Sequence, residues 1–255
     1  MFKEIYNYRE FLKTNVKKDI RGKYKGSFLG VLWSFINPLL MALVYAIVFP
    51  FILKSSQDNY VTFIVIAILP WNYFTTAISQ GTFCVLANSD VIKKVYFPRE
   101  ILPISTATSG LINFFISVPI ILIFLLCGGI GLNINILWLP VIAIVQYILT
   151  LGIILITSAI NVYIRDSEYI INFFVTMLFY ATPVLYSTTL FPEKYRWILY
   201  LNPMTSIING YRDIFFYQTS PNFQNLFMVL MASILLLFIG VIVFNKLKKG
   251  FAEEV

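Results

Sequence analysis

Residues 104–126 read ISTATSGLINFFISVPIILIFLL, and no Asp, Glu, Lys, Arg or His interrupts them. A helix needs about 20 residues to cross the hydrocarbon core of a bilayer, which is about 30 Å thick. Five further stretches have the same character: Val31–Leu53, Val61–Leu86, Leu137–Ile164, Tyr169–Tyr186 and Leu226–Asn245. The sequence therefore predicts an all-α membrane protein with six transmembrane helices.

The composition supports this prediction. Of the 255 residues, 59% are hydrophobic and 12% are charged, whereas a soluble domain carries roughly 25% charged residues. The chain contains no histidine, and so it lacks the commonest metal ligand and the usual general base. We expect neither a metal site nor catalytic residues.

The six apolar stretches contain no Asp, Glu, Lys, Arg or His, the groups from which proton relays and ion-coupled carriers are built. If the protein moves a substrate, we expect another polypeptide to supply the energy. The chain has no G-x-x-x-x-G-K-[S/T] phosphate loop, and so we expect ATP to bind to that other polypeptide.

The 19 Lys and Arg residues are distributed unevenly among the predicted loops. With the N-terminus in the cytoplasm, fifteen lie inside and four lie outside: Lys54, Lys194, Arg196 and Arg212. The positive-inside rule therefore predicts that both termini are cytoplasmic. The net charge of +7 follows from this asymmetry and from contact with anionic lipid, and so we expect membrane lipids and no nucleic acid as partners.

This topology divides the chain into three parts. Residues 1–30 form a cytoplasmic interface segment, residues 31–245 form the six-span domain, and residues 246–255 form a cytoplasmic tail. Two loops of the six-span domain are long enough for structure of their own: 87–103 on the cytoplasmic side and 187–223 on the outer side.

The interface segment has the pattern of an amphipathic helix that lies in the membrane surface. Most of its apolar side chains share one side of a helical wheel, opposite most of the basic ones: Ile5, Tyr6, Leu12, Val16 and Ile20. A simple anchor for the first span is an equally good interpretation.

The cytoplasmic loop 87–103 mixes helix-forming residues with charged ones. Asn88, Ser89 or Asp90 is suited to cap a short helix that protrudes from the bilayer. Pro98 and Pro103 would fix where that helix stops and where the third span begins. The alternative is a solvated loop held by lipid head groups.

The outer loop 187–223 contains apolar runs that are too short to cross a bilayer, and Pro192, Pro203 and Pro221 punctuate them. Such runs are tolerated at membrane depth where they line a buried or water-filled cavity. We expect two re-entrant half-helices before the last span, although a cap lying flat on the outer leaflet is nearly as good an interpretation. Its charged side chains are expected at the water boundary: Glu193, Lys194, Arg196, Arg212 and Asp213.

Aromatic residues make up 17% of the chain. Most must pack or face lipid, but in a charge-free channel flat rings would offer apolar faces, and hydroxyls would offer replaceable hydrogen-bond partners, to a substrate that passes through. The candidate channel residues are Trp33, Tyr45, Trp71, Tyr73, Phe74, Tyr180 and Tyr186.

Four segments occur in a characteristic order. They are Tyr24, Lys25, Ser27, Leu29, Gly30, Trp33 and Pro38 around the first span; Tyr96–Pro103; Val162–Asp166; and Thr182–Val184 with Pro192–Trp197 and Leu199–Pro203. Together they resemble the permease subunits of type-two ABC exporters for O-antigen, capsular polysaccharide and teichoic acid. The resemblance covers nearly the whole chain.

The resemblance implies a multi-pass protein of the bacterial plasma membrane that exports a lipid-linked polysaccharide to the outer face. It implies a homodimer with two copies of an ATP-binding subunit, which holds ATP and Mg while this chain binds no cofactor. The loop 87–103 would then be the coupling segment that docks on that subunit, through Asn88, Ser89, Asp90, Lys93, Lys94, Phe97, Pro98, Arg99 and Glu100. A further hypothesis is that the phosphate head of the substrate meets a basic membrane-surface site at Arg21, Lys23 and Lys25.

Two other functions are consistent with a chain of this kind. The first is a permease of the same type for small molecules, drugs or lipids. The second is an intramembrane glycosyltransferase or acyltransferase, for which the Asp166–Glu168 segment and Glu100 are the available carboxylates.

Overall fold

The computed structural model describes residues 2–22, scattered residues between 32 and 48, and residues 59–254. Within them the regular elements are helices. The α-helices are α1 (Phe2–Asn7), α2 (Arg9–Gly22), α3 (Tyr60–Phe83), α4 (Ser89–Lys94), α5 (Ile101–Cys127), α6 (Leu139–Tyr163), α7 (Ser167–Ala181), α8 (Arg196–Tyr200), α9 (Pro203–Phe215), α10 (Phe223–Leu247) and α11 (Phe251–Glu254). Short 3₁₀ segments join several of them: Leu86–Asn88, Ile134–Trp138, Thr188–Leu190, Glu193–Tyr195 and Lys248–Gly250.

Four helical segments in the described part are long and apolar enough to span a membrane: Tyr60–Phe83, Ile101–Cys127, Ile134–Tyr163 and Phe223–Gly250. They confirm the prediction of an all-helical membrane protein and coincide with four of the six predicted apolar stretches. Most of the first predicted span, Val31–Leu53, lies outside the described residues.

The fifth apolar stretch forms a shorter helix than its sequence suggested. Helix α7 ends at Ala181 after 15 residues, which is about 22 Å at 1.5 Å per residue. Thr182 is extended, with φ −99° and ψ 139°, because a residue before proline is driven out of the helical region by the Pro183 ring. Residues 182–186 therefore continue the apolar stretch without continuing the helix.

Helix α3 lies at the centre of the bundle and contacts α5, α6, α7 and α9. A buried polar chain joins three of these helices: Gln146 of α6 donates to the carbonyl of Pro70 in α3 at 2.7 Å, and Tyr211 of α9 donates to Gln146 Oε1 at 2.9 Å. Amide side chains inside a membrane helix bundle usually form hydrogen bonds of this kind between helices.

Helix α6 makes its most extensive contact with α10, and two glycines allow the backbones to meet. A Cβ atom on Gly240 would lie 2.8 Å from the carbonyl oxygen of Gly152, and one on Gly152 would lie 2.9 Å from the backbone nitrogen of Leu237. Small residues are favoured at such crossings because van der Waals packing, rather than the hydrophobic effect, holds helices together in lipid.

We predict that Gly240→Ala destabilises the protein. The new methyl group meets backbone that cannot move aside, and overpacking of this kind costs about 1–3 kcal/mol. The melting temperature of the detergent-solubilised protein should fall. Gly22→Ala is the control, because a Cβ there meets no atom of the described residues within 4 Å, and an equal loss in both variants would contradict the prediction.

Candidate functional site

An open cavity of about 680 Å³ lies between α3, α5 and the described residues of the first apolar stretch. We call it the amide cavity because of the side chains that line it: Trp33, Asn37, Leu40, Met41, Leu69, Asn72, Tyr73, Thr76, Gln80, Gly110, Asn113, Phe114 and Ser117. These lining residues include four amides and two aliphatic hydroxyls and no ionisable acid or base other than the phenol of Tyr73.

Helical spacing brings these polar side chains together. Residues three or four positions apart lie on one face of a helix, and each wall of the cavity uses that spacing. The three sets are Trp33, Asn37 and Met41; Asn72, Thr76 and Gln80; and Gly110, Asn113 and Ser117.

Asn113 is the most unusual member of the amide cavity. Both its Nδ2 and its Oδ1 are buried, and neither has a hydrogen-bond partner among the described residues. An unpaired buried polar group costs about 1–3 kcal/mol. A side chain that carries this cost while lining a cavity is suited to bind a ligand that brings both a donor and an acceptor.

Aromatic rings form the other part of the wall. Tyr73 stacks on Phe114 with ring centroids 6.1 Å apart and an interplanar angle of 24°. Gly110 makes room for this pair, since a Cβ atom there would lie 2.9 Å from Cε2 of Tyr73. The cavity thus presents flat apolar faces beside amides and hydroxyls.

The structure places the predicted channel residues in different environments. Trp33 and Tyr73 line the amide cavity, whereas Trp71 and Phe74 are buried in the core and pack on each other at 5.6 Å.

Tyr180 and Tyr186 are not among the lining residues of the amide cavity. Tyr180 is exposed, and Tyr186 donates to the Tyr180 carbonyl at 3.1 Å. Tyr45 lies outside the described residues. Our sequence analysis overlooked Asn72, Thr76 and Gln80, although their spacing by four residues was a usable signal.

The loop 87–103 contains the short helix that its sequence predicted. Helix α4 begins at Ser89, after Asn88, which makes no side-chain cap bond. Instead Asn88 donates to the carbonyl of Cys84 at 2.8 Å and accepts from Lys18 of α2 at 3.2 Å. The exposed side chains of the helix are Asp90, Lys93 and Lys94.

Helix α2 packs against the second half of this loop. Phe97 is buried, and its ring lies 4.8 Å from that of Phe11. Tyr8 donates to the carbonyl of Tyr96 at 3.5 Å, and Pro98 is half-buried beside them. The interface helix and the loop therefore form one packed unit.

The C-terminal segment is tied to the same loop. Glu100 is buried, and Lys248 donates to its Oε1 at 2.5 Å. Arg99 donates to the backbone carbonyl of Lys248 and lies over the ring of Phe251, 5.8 Å from its centroid. Of the predicted coupling residues, Arg99 and Glu100 thus hold the loop in place, whereas Asp90, Lys93 and Lys94 of α4 are exposed.

A groove of about 420 Å³ runs between α2 and α5. Its floor is apolar except for one threonine, and its rim is basic: Leu12, Val16, Ile20, Thr108 and Ile112 below, and Lys13, Lys17 and Arg21 above. Arg21 belongs to the predicted head-group set, whereas Lys23 and Lys25 lie outside the described residues. On the rim, a 2.9 Å bond from Lys13 lowers the pKa of Glu10.

Arg212 corrects one sequence-based prediction, which placed it at the water boundary. It is 1% exposed and donates to the carbonyls of Pro183 at 2.5 Å, Val184 at 2.7 Å and Tyr186 at 3.3 Å. Its guanidinium lies 3.5 Å from the ring centroid of Phe63. The prediction was wrong because the extended turn after α7 leaves carbonyls without helical partners, and Arg212 supplies their donors.

The other charged residues of the outer loop are more accessible. Glu193 and Lys194 are exposed, Arg196 is partly exposed and forms a 3.5 Å ion pair with Glu193, and Asp213 is half-buried. Burial raises the pKa of Asp213, and a hydrogen bond from the backbone of Asn222 partly opposes this.

Comparison with known proteins assigns the chain a family. Residues 10–216 match the model of the ABC-2 type transporter family. The chain is 36% identical over 245 residues to the "O-antigen export system permease protein RfbA" of Klebsiella pneumoniae, covering 96% of this chain and 94% of that protein. A Myxococcus xanthus protein of the same name is 34% identical over 257 residues, covering 100% and 99% of the two chains.

We predict that Lys248→Met destabilises the protein more than the double change Glu100→Gln with Lys248→Met. The single variant leaves a buried carboxylate without its partner, which costs about 1–3 kcal/mol or more. Thermal melting in detergent measures the difference, with Lys249→Met as the control for loss of an exposed lysine nearby. Equal losses in the single and double variants would show that the ion pair does not hold the loop.

Proposed function

Because this chain belongs to the ABC-2 type transporter family, we propose that it is the membrane-spanning subunit of an ATP-driven exporter of lipid-linked polysaccharide. It is a multi-pass protein of the inner membrane and would move the polymer from the cytoplasmic to the outer face. The observation that carries the substrate class is the amide cavity, in which the Asn113 amide has no hydrogen-bond partner among the described residues.

The amide cavity suits a passing sugar chain. Amides and hydroxyls both donate and accept, so they exchange partners with sugar hydroxyls of any orientation. The rings of Trp33, Tyr73 and Phe114 offer apolar faces to sugar C–H groups. With no Asp, Glu, Lys, Arg or His in the described wall, no strong ion pair holds the polymer at one position.

The energy would come from a separate ATP-binding subunit, with which members of this family normally work. That subunit would hold ATP and Mg, and the exposed face of α4 would receive its movement. The packing of α2 and the C-terminal segment around the loop 87–103 would carry this movement into the bundle.

We propose the following topology around this core. Two copies of the chain, each with six spans and both termini in the cytoplasm, would assemble with two ATP-binding subunits. Helices α8 and α9 are 5 and 13 residues long, too short to cross a bilayer, and would re-enter it from outside as half-helices.

The basic groove between α2 and α5 would receive the lipid end of the substrate. Its apolar floor matches a hydrocarbon tail, and its rim of Lys13, Lys17 and Arg21 matches a phosphate head group. This site extends the head-group site predicted from the sequence toward the N-terminus of α2.

We predict that Asn113→Leu lowers export while raising stability. Leucine removes an amide that has no described partner, which stabilises the fold, but it also removes a hydrogen-bond partner of the polymer. The loss of one or two such bonds corresponds to about threefold to tenfold less export. Surface polymer, measured by antibody or lectin binding to whole cells, and thermal melting of the purified complex report the two effects.

Gln80→Leu and Gln224→Leu form a matched pair for the same experiment. Gln80 lines the amide cavity, whereas Gln224 is exposed at the start of α10 and outside it. Export should fall in the first and persist in the second. Unchanged export in both Asn113→Leu and Gln80→Leu would remove the amide cavity from the polymer path.

We predict that Lys93→Glu with Lys94→Glu weakens binding of the ATP-binding subunit. Both side chains are exposed at the end of α4, and reversed charges at an interface replace attraction by repulsion. Co-purification of the tagged permease measures the loss. The control is Lys246→Glu with Lys249→Glu, because these two lysines are also exposed. If the Lys93→Glu, Lys94→Glu variant still retained the ATP-binding subunit, the docking surface would lie elsewhere.

A further inference from the structure

A second cavity, of about 620 Å³, lies at the other end of α3 from the loop 87–103. Its walls are the turn after α7, helix α9 and the start of α10, and we call it the hairpin cavity. The turn after α7 lies beside the start of α3, because Tyr60 donates to the carbonyl of Leu185 at 2.6 Å. The hairpin cavity shares no lining residue with the amide cavity.

Polar side chains dominate its lining. Eight lining residues carry a hydroxyl and three, including Asn209 and Asn225, carry an amide. The only charged lining residues are Arg212 and Asp213, which have opposite signs. This lining is rich in donors and acceptors and carries no net charge.

The walls are fixed before any ligand arrives. Arg212 binds the turn through the carbonyls of Pro183, Val184 and Tyr186. On the opposite side, Gln218 has a positive φ of 55°, and its backbone carbonyl accepts from Asn135 at 2.8 Å. A site held in this way loses little conformational entropy on binding.

The chemistry of the lining selects the ligand. The Nη atoms of Arg212 are occupied by carbonyls, and the Asp213 carboxylate repels anions. A half-buried carboxylate accepts well from sugar hydroxyls, and the exposed rings of Tyr200 and Tyr217 offer faces for C–H contact. The volume lies within the range of about 300–1,000 Å³ that is typical of ligand sites.

We propose that the hairpin cavity is a second glycan subsite, which binds uncharged sugar residues of the polymer near the outer end of its path. This rests on the proposed function, because it assumes that a saccharide chain passes through the protein. The polymer would then be held at two separate points, first in the amide cavity and then in the hairpin cavity.

Site-specific photocrosslinking in exporting cells tests the proposal with the full complex. A benzoylphenylalanine at Tyr217 should capture the cell's own polymer, seen as a shift of the permease band with anti-polymer antibody. The same residue at Tyr195, which is exposed but outside the cavity, should capture little. Adding Asp213→Asn should lower capture at Tyr217 about fivefold, as expected when a charge-assisted hydrogen bond becomes a neutral one that is about 1 kcal/mol weaker.

A crosslinker at Met41, in the amide cavity, separates the two hypotheses. Capture at Met41 without capture at Tyr217 would overturn the hairpin subsite and leave the proposed function standing. Capture at neither position would count against both.

Saturation-transfer NMR on the purified complex, with a neutral oligosaccharide released from the polymer, tests the class of ligand. We expect a signal that Asp213→Asn weakens and that millimolar inorganic phosphate leaves unchanged. Displacement of the sugar by phosphate would overturn the assignment and indicate an anion site.

Discussion

Inside a bilayer, every backbone N–H and C=O must find its partner within the protein, because no water is available to replace it. The break after α7 is where this constraint is hardest to meet, since Pro183 ends the helix and leaves carbonyls unpaired. Arg212 satisfies this constraint because it donates hydrogen bonds to three of these carbonyls. Its charged guanidinium lies against the face of the Phe63 ring. This one side chain joins the turn after α7 to helix α9, and both form walls of the hairpin cavity.

The same constraint makes the amide cavity distinctive. Gln146 and Asn172 have hydrogen-bond partners inside the bundle, and Asn161 accepts from Ser167 although its Nδ2 has no described partner, whereas both polar atoms of the Asn113 amide lack one among the described residues. An amide that only filled space could be replaced by leucine with a gain in stability. Its position beside other polar side chains, on a wall that faces an open cavity, is therefore better explained by a ligand than by packing.

Sequence reasoning predicted the features that depend on local pattern. Apolar length predicted the four described spans, helical periodicity of apolar and basic residues predicted α2, and helix-forming residues behind the possible caps Asn88, Ser89 and Asp90 predicted the short helix α4. It failed where distant residues meet, since nothing near Arg212 in the chain indicates that residues 183–186 need donors. The pairing of Glu100 with Lys248 joins residues 148 positions apart and is invisible for the same reason. The spacing of Asn72, Thr76 and Gln80 was local and could have been used.

Helix α3 connects all of these sites. It begins beside the hairpin cavity, where Phe63 lies under Arg212, and ends at Phe83, next to Cys84, whose carbonyl accepts from Asn88. Pro70 lies between these ends, next to the amide cavity, and removes one N–H from the helical ladder. A change of angle at Pro70 therefore breaks fewer hydrogen bonds than one elsewhere in α3. The movement proposed to enter through the loop 87–103 would therefore be absorbed beside Asn72, where it would reshape the wall of the amide cavity.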